Sequence, residues 1–201
     1  YNSANSSSTS FNINLGIPVV TPIVGTYTYN GSSQGPNAAT NTGTGSSYTY
    51  SYSGTGGTSY GPIATAPTNA GNYLVTVTVA ANGNYNSANS SETTFLIDKQ
   101  TPIVNITSDT YKYNGSPQGP NAATNTGTGS SYTYSYSGTG GTTYGPSSTA
   151  PTNAGTYSVT VSVAASTDGF YNAASSAATA FTIATKTLTI GRSEEHTSEL
   201  Q

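Results

Sequence analysis

Hydrophobic and polar positions alternate along most of this chain, with a period of two. In Tyr73-Leu74-Val75-Thr76-Val77-Thr78-Val79, Tyr and Val fall on one side and mostly Thr on the other. That is the pattern of a strand with one face in a core. Tyr157, Val159, Val161 and Val163 repeat it. Tyr48, Tyr50 and Tyr52 alternate with Thr and Ser in a further strand, as do Tyr132, Tyr134 and Tyr136. The apolar runs 17–24 and 93–98 read as strands that open and close a unit. Asn30-Gly31 and Gly54-Thr55-Gly56-Gly57 carry turn chemistry, since Gly and Asn tolerate positive φ. No apolar period of 3.6 is sustained, so no helix is expected.

The pattern recurs. Residues 27–81 align without a gap with 111–165, an offset of 84, and 47 of these 55 positions are identical. Tyr1-Asn2-Ser3-Ala4-Asn5 matches Tyr85-Asn86-Ser87-Ala88-Asn89, and Phe11 and Ile13 match Phe95 and Ile97. The division read from this is a tail of a preceding repeat at 1–16, complete repeats at 17–100 and 101–186, and the start of a further repeat at 187–191. Residues 192–201, RSEEHTSELQ, break the pattern with Arg192, Glu194, Glu195, Glu199 and the single His196. They resemble the translation of a common sequencing adapter and are read as a non-native tail. Short strands at ten-residue spacing in units of this length predict an all-β fold of tandem Ig-like antiparallel β-sandwich domains.

Composition changes the picture in one respect. Leu, Ile, Val and Phe are scarce, while 17 of the 201 residues are Tyr. Tyr buries a large ring if its hydroxyl finds a partner, so it can replace the missing aliphatic bulk. The Tyr48, Tyr50 and Tyr52 face is therefore either core or, if exposed, a platform for sugar rings or a protein partner. Asn69-Ala70-Gly71-Asn72-Tyr73 and Asn153-Ala154-Gly155-Thr156-Tyr157 look like the turn and Tyr entering a late strand of Ig-like domains. There the Tyr hydroxyl bonds back to nearby backbone.

The ordered series TPIV, TYxYNG, APTNAGxYxVTVxVA, YN with a Ser/Ala-rich loop, then TxFxI, spans roughly residues 1–191. It resembles the MBG-type bacterial Ig-like repeats, which occur in tandem in large secreted and surface proteins, including adhesins. The resemblance implies a structural spacer or stalk in a bacterial extracellular or cell-surface protein, with neighbouring repeats as partners. The alternative is a module that binds surface glycans or host proteins through Tyr, Ser and Thr. The Ser/Thr/Tyr-rich middles, 40–60 and 124–144, depart from the family pattern.

Charge and chemistry exclude more than they suggest. With four Lys and Arg in the whole chain, no basic surface for nucleic acid is expected. Without Cys there is no disulfide, thiolate metal site or thiol nucleophile. No apolar run is long enough for membrane insertion of this segment as a helix. Outside the last ten residues the charged groups are Glu92, Asp98, Asp109, Asp168, Lys99, Lys112 and Lys186. No position is charged in both repeats: Lys112 is Thr28, Asp109 is Gly25, Asp98 is Ala184 and Glu92 is Ala178. A shared carboxylate pair is thus excluded, and no enzyme, cofactor or metal is expected. Asp168 and Asp98 are the weak candidates for an ion, and Lys99 beside Asp98 for a crosslink. Leu15 and Thr185 at the Lys99 position argue against the latter. Asn-x-Ser/Thr sequences at Asn5, Asn30, Asn89, Asn105 and Asn114 are expected by chance at this composition.

Overall fold

A computed structural model describes residues 1–189; the expectations for 192–201 and the end of 187–191 lie outside the described residues. The chain divides into two compact units after Gln100. Among the described residues all regular elements are strands.

In the first unit, β1 (Val20–Ile23) pairs antiparallel with β3 (Ala38–Asn41) in a two-stranded sheet. β2 (Tyr27–Thr28), β7 (Thr93–Asp98), β5 (Gly71–Val79) and β4 (Tyr48–Thr55) line up in the order β2-β7-β5-β4. β6 (Ala88–Asn89) adds to β5, and β2 runs parallel to β7 while the other pairs are antiparallel. β5 is the centre of the core. Tyr73, Val75, Val77 and Val79 are all buried, as alternation requires of the inward side. Register places Tyr52, Tyr50 and Tyr48 opposite Val75, Val77 and Val79, and Phe95 opposite Tyr73. Val20 closes the core from the small sheet.

The second unit repeats this plan. β8 (Val104–Ile106) pairs with β10 (Ala123–Asn125). β11 (Tyr132–Thr139), β12 (Gly155–Val163), β14 (Thr179–Ala184) and β9 (Tyr111–Lys112) form the larger sheet, with β13 (Ala174–Ser175) on β12. Val104, Tyr136, Tyr157, Val159, Val161, Val163, Phe181 and Ile183 form its core.

Three details differ from the sequence reading. The run 17–24 is not one strand: only Val20–Ile23 pairs, and the chain then crosses to the other sheet as β2. Pro18 and Pro22 lack the N–H a longer ladder needs, and Pro22 is tolerated because β1 pairs on one side only. Gly54 belongs to β4 rather than to the turn, which is made by Gly56 and Gly57 at φ 58° and 91°. Residues 1–15 form no strand. Phe11 and Ile13 are exposed, although their counterparts Phe95 and Ile97 are buried.

Candidate functional site

The Tyr ladder packs against the core, and its last ring in each unit is buried. Tyr52 and Tyr136 are 4% and 3% exposed. Their hydroxyls donate to the carbonyls of Pro36 at 2.6 Å and Pro120 at 2.7 Å. Each buried ring thus satisfies its one polar atom, the condition under which Tyr substitutes for an aliphatic residue. Tyr50 stacks on Tyr52 at 6.3 Å between centroids. Tyr48 is half-buried and accepts a hydrogen bond from Asn41 Nδ2. Around Phe95, the rings of Tyr27, Tyr52 and Tyr73 lie at 5.7, 6.1 and 5.4 Å. Tyr111, Tyr136 and Tyr157 surround Phe181 in the same way. Burial raises the Tyr52 hydroxyl to about 12, with smaller contributions from Tyr50, Tyr27 and Tyr60. Burial is also the main cause of the upward shifts at Tyr136, Tyr73 and Tyr157.

The Tyr-to-backbone bond expected from the sequence is present twice. Tyr73 Oη donates to the Asn69 carbonyl at 2.8 Å, and Tyr157 Oη to that of Asn153 at 2.8 Å. It pins the turn that feeds the central strand.

With the Tyr rings turned inward, the outer face of the large sheet is hydroxyl-bearing. Thr49 lies opposite Thr78 and Ser51 opposite Thr76. In the second unit Thr133 lies opposite Ser162 and Ser135 opposite Thr160.

Glu92, Asp98, Lys99, Asp109, Lys112, Asp168 and Lys186 are all exposed. Among the described residues no group of three or more His, Asp or Glu is placed to hold a metal ion. Asp168 has a local structural role. It accepts hydrogen bonds from the Ser166 hydroxyl, from Thr128 Oγ1 at 2.5 Å and from the Phe170 N–H at 3.0 Å. These bonds, led by Ser166, lower its carboxyl below the usual range. The first unit makes the same loop-to-loop tie without charge: Asn82 Nδ2 donates to the Thr44 carbonyl at 2.9 Å. Thr44 and Thr128 are equivalent positions. The two-residue insertion in the second unit hides this equivalence in the sequence. Of the Asn-x-Ser/Thr positions, Asn30 and Asn114 cap their own turns through the N–H groups of Ser32 and Ser116. A hollow of about 490 Å³ in the second unit is bordered by Tyr113, Asn153, Thr185, Lys186 and Leu188. Among the described residues its lining has no carboxylate and, besides Lys186, only Tyr113 is titratable.

The class defined here is a pair of all-β, Ig-like sandwiches with aromatic cores and hydroxyl-rich outer faces. The sequence model described as MBG domain matches residues 23–101, so the first unit is a domain of that family. The second carries the same strand order and nearly the same sequence. Neither the curated proteins nor the solved structures return a match. Domains of this family occur in extracellular and surface proteins, adhesin-like ones among them, which supports a general extracellular repeat role.

Proposed function

We propose that these units are structural spacers in the stalk of a bacterial cell-surface, adhesin-like protein. The observation that carries this reading is the repetition of a closed, self-sufficient core in units whose charged positions are not repeated. Selection for a packed sandwich accounts for what the units share; no titratable constellation does. Each unit buries its own aromatic cluster, so the array can be lengthened by adding units without changing the ones already there. The low charge makes the surface insensitive to salt, as suits a wall-distal segment. Its partners in this reading are neighbouring repeats, and it performs no catalysis.

A second reading, adhesion by the repeats themselves to surface glycans or host proteins, is favoured by one feature. The hydroxyl rows on the outer face are duplicated between the units, so weak sites would gain from tethering. A glycan array probed with the full chain separates the two. The spacer reading expects no bound glycan; saturable binding that is lost in a Thr49→Ala/Ser51→Ala/Thr133→Ala/Ser135→Ala variant would replace it with the second reading.

A further inference from the structure

The large sheet of each unit ends on a strand whose outer edge is only half covered. Tyr52 exchanges backbone hydrogen bonds with Ile63 at 2.8 and 3.0 Å, and the Gly54 N–H bonds the Tyr60 carbonyl at 2.8 Å. Ser47 instead accepts from Ala80, on the β5 side, at 2.9 Å. Backbone direction alternates along a strand, so Ser47, Thr49, Ser51 and Ser53 face β5 and Tyr48, Tyr50, Tyr52 and Gly54 face outward. The segment 60–63 reaches only the last two. The N–H and C=O groups of Tyr48 and Tyr50 are therefore an open edge, without a backbone partner among the described residues. The second unit repeats the arrangement. Tyr136 bonds Ser147 and Gly138 bonds Tyr144, leaving Tyr132 and Tyr134 open.

Edges of this kind are usually blunted by charge, Pro or a bulge. β4 and β11 both read YTYSYSGT and have none of these before their Gly. The geometry points to pairing of this edge with the same edge of a second copy of the chain. The occupant is set by two features. First, Ser47-Tyr48-Thr49-Tyr50-Ser51 reads the same in both directions about Thr49, as does Ser131-Tyr132-Thr133-Tyr134-Ser135 about Thr133. A two-fold axis through Thr49 sets Tyr48 opposite Tyr50 of the second copy, closing four backbone hydrogen bonds in register. Second, neither strand carries a charged side chain, so a copy meets no like-charge repulsion, the usual barrier to self-pairing. Each chain has two such edges, one per unit. This inference does not rest on the spacer reading.

Thr49 and Thr133 provide the test. Both are exposed on the outer face, away from the core, and each would meet its own copy at a non-hydrogen-bonded position with Cα atoms about 4.5 Å apart. Sedimentation velocity on the full chain, over concentrations up to about 1 mM, reads weak association. The wild type is expected to gain weight-average mass with concentration. Thr49→Lys/Thr133→Lys and Thr49→Glu/Thr133→Glu variants are each expected to stay monomeric with unchanged melting temperature. An equimolar mixture of the two is expected to associate again. A wild type that stays monomeric throughout, variants that associate as the wild type does, or a mixture that stays monomeric would each overturn the pairing.

Discussion

At the scale of single residues, this fold rests on Tyr used as a core residue. Tyr52 is buried like a valine because Pro36 presents a carbonyl to its hydroxyl, and Tyr136 has Pro120 for the same purpose. Removing the ring leaves a cavity and strands that carbonyl. Tyr52→Ala should destabilise the first unit by about 3–5 kcal/mol, the range for a buried aromatic, measured by urea denaturation. Tyr73→Phe keeps the ring and loses only the bond to Asn69, so it should cost about 0.5–1.5 kcal/mol. The raised hydroxyls also set a pH dependence. Tyr52 titrates near 10.0 when unfolded and at about 12 when folded. Above the lower value the unfolded chain has released protons that the native state still holds, so stability is full below it and falls as pH rises towards the upper one. Tyr136, Tyr73 and Tyr157 act in the same direction. Thermal melts should show a midpoint that is level through neutral pH and drops steeply in alkali. A midpoint unchanged across the alkaline range would mean these rings are not buried. Asp168→Asn keeps an acceptor oxygen and loses the charge of an exposed group, so thermal melts at neutral pH should show a small drop in the melting temperature of the second unit.

At the scale of elements, the central strand was plain in the sequence. Four alternating apolar positions with Thr between them specify β5 and β12, and both are the most buried strands in their units. The Tyr that enters each was equally legible, since its turn chemistry precedes it directly. The Tyr strand was not. Periodicity puts Tyr48, Tyr50 and Tyr52 on one face but does not say which face is inside; that depends on the register against β5 and on the distant Pro36 carbonyl. The crossing of the opening run from one sheet to the other was also hidden, because two prolines interrupt, and Gly25 ends, a run that hydrophobicity alone joins. Gly54 shows how a local reading misplaces a boundary. Its neighbours suggest a turn, yet it is a strand residue kept small because a Cβ there would lie 2.1 Å from the Thr58 carbonyl oxygen. Gly54→Ala should therefore break the contact between β4 and the segment 58–60. The expected loss exceeds the ~1 kcal/mol typical of a point substitution, read by denaturant unfolding. The equivalent Gly138→Ala should do the same in the second unit, where the corresponding distance is 2.0 Å.

At the scale of the whole molecule, the proposed spacer role requires that each unit be a self-contained sandwich with its own core. The candidate acids illustrate why a site search by residue type had little to find: Asp168 holds its own loop, and the other charged groups of the described chain are exposed. The internal repeat was the more informative signal, because it showed which positions are shared and which are incidental. Pulling the full chain from its two ends by single-molecule force spectroscopy addresses that requirement most directly. Two separate unfolding events of equal size are predicted, each releasing one sandwich's length of chain at about 3.4 Å per residue. A smooth extension without discrete events, or a single event that releases both units together, would contradict it.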